Sequence, residues 1–97
     1  MKVREMAERT LAERWYPIAE AESIEEMRKI DVRTVCKFCE YYDRCSLCPL
    51  NGKKWCCNGH YNSWINAMSK NKLRKARKEA LKIVKIIEKV RNQAKEN

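Results

Sequence analysis

Cys36-Lys37-Phe38-Cys39, Cys45-Ser46-Leu47-Cys48-Pro49 and Cys56-Cys57-Asn58-Gly59-His60 follow one another in a single stretch, and all six cysteines and the one histidine fall inside it. A chain that used cysteine only as a small hydrophobe would scatter it over several apolar faces. Two Cys-x-x-Cys units five residues apart instead repeat the bite of a metal-binding knuckle. In such a knuckle the intervening residues turn both thiolates toward one point while backbone amides face the sulfurs. With Pro49 and Asn51-Gly52 as turn formers, the stretch reads as loops or a small hairpin wrapped around a metal. Tyr41, Tyr42, Leu47, Leu50 and Trp55 are interleaved with the thiols. Such rings either shield the site and join a small core or stack on exposed bases.

Seven side chains compete for four tetrahedral places, each sulfur about 2.3 Å from a zinc ion. Pairing the two knuckles takes Cys36, Cys39, Cys45 and Cys48. A second set takes Cys36 and Cys39 with Cys57 and His60, whose Cys-x-x-His pair would open the following helix. Cys56 is a further thiol. Zn2+ is the expected cofactor. A [4Fe-4S] cluster is the alternative, because a Cys-Pro pair such as Cys48-Pro49 occurs in cluster-binding runs and all-cysteine ligation suits both. The tight Cys-x-x-Cys-x-x-Cys spacing of ferredoxins is absent.

Outward from this stretch, the bulk numbers favour a helical frame. Ninety-seven residues make one domain with a modest core, and 36% charged residues with two Gly and two Pro suit helix over sheet. The charged N-terminus, Met1-Lys2-Val3-Arg4-Glu5, offers no secretory apolar region, and no apolar run is long enough for a membrane span. A cytoplasmic setting is therefore expected, where thiols hold metal rather than disulfides. Charge is uneven: residues 1–35 sum to −1, 36–68 to +2 and 69–97 to +8, giving the net +9. A field concentrated in the last third points to an acidic partner, nucleic acid first.

Upstream, Val3, Met6, Ala7, Leu11 and Trp15 line one helical face, and Pro17 is expected to end or reset that helix by drawing Tyr16 from helical angles, giving two helices rather than one. Ser23-Ile24-Glu25-Glu26 matches a capping box that opens a second helix, unless that helix starts at Pro17. Asp31 to Val35 then reads as an extended lead into the first knuckle. Downstream, Tyr61, Trp64, Ile65 and Met68 share a face, followed by Leu73, Ala76, Ala80, Ile83, Ile87, Val90 and Ala94 at alternating gaps of three and four. This is a heptad seam, and with no proline or glycine in residues 60–97 it allows one helix of about 30 residues or more, weakest at Ser69 to Asn71, or a separate helix over 69–97. The fold class is thus mainly α. A metal-stabilised domain (residues 1–68) places its cysteine-rich loops between N-terminal helices and a long basic C-terminal helix (69–97).

Arg14-Trp15-Tyr16-Pro17-Ile18-Ala19-Glu20, Cys36-x-x-Cys39, Cys45-x-x-Cys48-Pro49, Cys57-Asn58-Gly59 and Tyr61-x-x-Trp64 together resemble small cysteine-cluster proteins of phages, prophages and other mobile elements. The likeness covers about half the chain. It implies a viral or mobile-element setting and a metal site, and no reaction. Here the stretch after the last cysteine is one residue shorter than in that group, and Cys56 is an added thiol.

Catalysis finds no support in the sequence: paired carboxylates, a P-loop, a nucleophile motif and a deaminase signature are all missing. The leading expectation is a zinc-binding, nucleic-acid-binding or regulatory protein. Lys72, Arg74, Lys75, Arg77, Lys78, Lys82 and Lys85 are its phosphate contacts. The same cations also suit the solvated face of a packed helix. Two other functions fit: an adaptor docking its long helix on a host or viral protein, and, with an iron-sulfur cluster, a redox or sensor protein. Leu81, Val84 and Ile86 widen the seam, so Leu73 to Ala94 is expected to meet both residues 3–30 and a partner helix or second copy.

Overall fold

The computed structural model describes residues 2–34 and 60–94. Every regular element among them is a helix: α1 (Val3–Thr10), a π-helical turn (Leu11–Trp15), α2 (Tyr16–Glu20), α3 (Ile24–Arg33), α4 (His60–Ser69) and α5 (Leu73–Gln93). None of these is long and apolar enough to cross a membrane. The hairpin and loop readings, and Cys36, Cys39, Cys45, Cys48, Cys56 and Cys57, lie outside the described residues.

The first three elements form one continuous rod. Its buried residues fall in two rows spaced by four, Ala7-Leu11-Trp15 and Met6-Thr10-Arg14-Ile18. On an α-helix of 3.6 residues per turn such a row drifts about 40° per step. The wider turn, marked by Tyr16 N–H donating to Leu11 O, takes back part of that drift and keeps Trp15 and Ile18 on the core side. It also corrects the expectation at Pro17. Tyr16 stays helical (φ −63°, ψ −48°) and the rod runs on to Glu20, because the slack turn lies just where proline lacks a donor and its ring needs room.

Ser23 (φ −150°, ψ 160°) starts α3 as a cap, its Oγ accepting from Glu26 N–H at 3.1 Å. The returning Glu26 carboxylate accepts from Glu22 N–H at 2.8 Å, one residue upstream of the capping-box partner. Helix α3 also outlasts the expected extended lead, running through Arg33, and Thr34 is the first extended residue.

The single long C-terminal helix is corrected to a hairpin. The chain breaks at Asn71, whose φ of 56° is left-handed. Asn71 N–H donates to Met68 O (3.0 Å) and Lys72 N–H to Ala67 O (2.9 Å), the paired bonds of a Schellman ending that Asn tolerates better than other non-glycine residues. Helix α5 then returns along α4 and packs on α1 and α2. One core results, from Met6, Leu11, Trp15, Ile18 and Met27 to Trp64, Ala76, Ala80, Ile83, Ile87 and Val90. Most of the seam is therefore buried within the chain, against the N-terminal rod and α4. Val84 is buried, Ile86 packs on the core and only Leu81, 49% exposed, faces outward.

Trp15 and Trp64 meet edge-on at 4.9 Å between centroids, and Tyr61 packs against both. Over them lies Arg14, buried to 5% exposure, its guanidinium 4.9 Å from the Trp15 ring and 5.9 Å from that of Trp64. Arg14 Nη2 donates to Asp31 Oδ1 at 2.6 Å, and Nη1 donates to Asp31 O, Thr34 O and Thr34 Oγ1. The point where the chain leaves for the cysteine stretch is thus tied to the same rings as Tyr61, just after it returns. Arg14→Met should keep the stem's packing but strand the Asp31 carboxylate and two carbonyls. The expected loss is on the order of 3 kcal/mol, read from the denaturant midpoint at unchanged slope. A change within about 0.5 kcal/mol would mean the end of α3 is held by something else.

Candidate nucleic-acid interface and metal ligands

On α5 the core residues occupy one side, which fixes what the other side shows. Arg74, Lys78, Lys85 and Lys89 follow at offsets of four, seven and four, all exposed, with exposed Lys75 and half-buried Lys82 beside them. At 1.5 Å per residue the stripe is about 22 Å long. The acids of this helix do not interrupt it. Glu88 accepts from the Tyr16 hydroxyl at 2.6 Å, a bond that raises the tyrosine above its ordinary pKa of 10.0. Glu79 is buried at 7% exposure. Among the described residues no carboxylate pairs with Arg74, Lys75, Lys78, Lys85 or Lys89. Lys72, Arg74, Lys75 and Lys78 also rim an open concavity of about 510 Å³ with Leu73 and Glu79.

Two of the expected phosphate contacts are engaged elsewhere. Arg77 donates from Nε and Nη2 to Ala21 O at 2.8 and 2.6 Å, closing the free carbonyl end of α2. Its position, one residue after the core residue Ala76, aims the long side chain across the bundle. Lys82 Nζ donates to Glu79 Oε1 at 3.2 Å. Lys89 was missed by sequence reasoning, although it continues the spacing of Arg74, Lys78 and Lys85.

His60 is the one sequence-predicted ligand among the described residues. It opens α4, and its Nδ1 lies 3.1 Å from Glu79 Oε2. Burial alone would raise the Glu79 pKa; the hydrogen bonds from Lys82 and His60 outweigh it and hold the carboxyl below its usual range. Glu79 too was missed, being an acid in a basic run that only the reversal at Asn71 brings to His60. Among the described residues no group of three or more His, Cys, Asp or Glu side chains gathers around a common point.

Lys78 and its neighbour Arg77 separate the two uses of charge. Arg77→Gln should lower stability by about 1–3 kcal/mol, since it removes a charged donor from a part-buried carbonyl, and leave nucleic-acid affinity per folded molecule unchanged. Lys78→Gln should do the reverse, within about 0.5 kcal/mol in stability but with weaker retention on duplex. Equal effects of both on binding would refute the division.

No protein-family model, no curated protein and no solved structure matches this chain.

Proposed function

We propose that this chain is a small zinc-binding module that lies along nucleic-acid phosphates through the outer face of α5. The observation that supports this best is the stripe Arg74, Lys78, Lys85 and Lys89, flanked by Lys75 and paired with no carboxylate among the described residues, both acids of the helix being turned inward. A solvated face would need no such segregation of sign. Cations on a straight helix contact the backbone and position without reading bases, so affinity should be salt-dependent and weakly selective.

The metal belongs to the same proposal. Cys36, Cys39, Cys45 and Cys48, or Cys36 and Cys39 with Cys57 and His60, would hold Zn2+, which supplies a cross-link through thiolate and imidazole and no reaction. The chemistry of the described donor fits: His60 is held at Nδ1 by a buried carboxylate, the support that metal-ligating histidines characteristically have. The resemblance to mobile-element proteins adds a viral or prophage setting.

With about five phosphate contacts, the logarithm of duplex affinity should fall with the logarithm of salt at a slope of about −4 to −5. Replacing Arg74, Lys78, Lys85 and Lys89 with Gln should flatten it. Failure of the unmodified protein to shift duplex or single strands at about 50 mM salt would overturn the nucleic-acid reading and favour the adaptor. Elemental analysis after anaerobic purification should find zinc in a colourless protein whose melting temperature falls on chelation. Iron with a brown colour would replace zinc by the cluster, and unchanged stability in a metal-free protein would remove the metal's structural role.

A further inference from the structure

Leu81 is the exception on the outer face of α5. The helix buries or half-buries its other large apolar residues, yet this leucine is 49% exposed, and it stands in the middle of the cationic stripe rather than at its edge. At 3.6 residues per turn, Arg74, Lys78, Leu81, Lys85 and Lys89 fall within about 80° of the helix circumference, with Leu81 one turn from Lys78 on one side and one turn from Lys85 on the other. The stripe is therefore two pairs of cations with an apolar position between them. Lys82, the cation that follows Leu81 in the chain, does not fill the gap: it is half-buried and donates from Nζ to Glu79 Oε1 at 3.2 Å. The pairs are centred on positions 76 and 87, which puts them about 16 Å apart along the axis.

A straight helix can meet the phosphates of a duplex in two ways. Lying along one strand, it passes a phosphate about once per turn and needs a cation at each, so the apolar turn at Leu81 breaks that ladder. Crossing a groove, it meets phosphates only where it passes each strand, with none between. The major groove of B-form DNA is about 12 Å wide, or about 18 Å between the phosphate centres on its two sides, and it admits an α-helix, whereas the minor groove at about 6 Å does not. Base edges in the major groove also carry the thymine methyl, an apolar group that a leucine can cover. In an RNA duplex the major groove is too deep and narrow for side chains, and the wide groove presents 2′-hydroxyls instead. We propose that the partner of α5 is duplex DNA, and that the helix crosses a major groove with Arg74 and Lys78 on one phosphate strand, Lys85 and Lys89 on the other and Leu81 over the base edges. This rests on the nucleic-acid reading above and names its substrate.

The test compares four probes of one sequence against the full-length protein at about 50 mM salt. They are a DNA duplex, the same duplex with a sugar on C5 of its cytosines, the DNA single strand and the RNA duplex. The C5 sugars fill the major groove and leave every phosphate in place. The expected result is tightest binding to the plain DNA duplex and a loss of about tenfold or more on the C5-substituted one. On plain duplex, Leu81→Lys should leave the salt slope unchanged, because no phosphate lies within its reach, whereas Lys78→Gln and Lys85→Gln should each reduce it by about 1. Equal affinity for the plain and C5-substituted duplexes, or tighter binding to RNA or to the single strand, would overturn the groove crossing and leave the phosphate reading standing. A slope steeper by about 1 in Leu81→Lys would mean that the helix follows one strand, and would overturn it as well. No binding to any of the four probes would remove both.

Discussion

The left-handed turn at Asn71 decides what the C-terminal half of this chain can touch. With φ at 56° the backbone reverses, and α5 comes back along α4 to meet the N-terminal rod. A continuous helix would carry Ile83, Ile87 and Val90 away from Trp15 and Ile18, leaving the seam exposed. The reversal also creates long-range polar contacts of α5, among them Arg77 to Ala21, Glu88 to Tyr16 and Glu79 to His60. Core, helix ends and candidate ligand thus follow from one residue that tolerates αL geometry.

Arginine has a second use in this fold besides surface charge. Arg14 reaches carbonyls at the end of α3, Arg77 the carbonyl of Ala21 after α2, and Arg28 the Met68 carbonyl near the end of α4. Helix C-termini leave carbonyls without intrahelical donors, and a cation there also meets the negative end of the helix dipole. Each of these three arginines comes from a different helix than the one it closes, so the same contact satisfies an end and ties two elements together. The positive field that remains for a partner is concentrated on the lysines and Arg74 of the outer face of α5.

Arg14 and the Trp15–Trp64–Tyr61 cluster also bear on the cysteine stretch from outside it. Thr34, where the described chain leaves, is hydrogen-bonded to Arg14, and Tyr61, just after it returns, packs on Trp15. The helical frame therefore bears part of the cost of closing that long connection.

Periodicity made much of the frame legible in the sequence. The apolar face of Met6, Ala7, Leu11 and Trp15, the cap at Ser23 and the seam from Ala76 to Val90 all follow from local spacing and local hydrogen bonding, which a chain carries wherever it folds. The spacing of the cysteines is likewise a property of the sequence, and the proposed metal chemistry rests on that spacing. Tertiary structure alone decided three things. Tyr16 remained helical before Pro17 because a π turn, stabilised by the burial of Trp15 and Ile18, absorbed the proline. The seam from Ala76 to Val90 joined the chain's own core because α5 folded back at Asn71. Arg77 and Glu79, indistinguishable in sequence from other charges of a basic helix, were drawn to Ala21 and His60, partners more than fifty and nearly twenty residues away. Charge reports what a side chain can bind, but only the packing of the helices determines which groups lie within its reach.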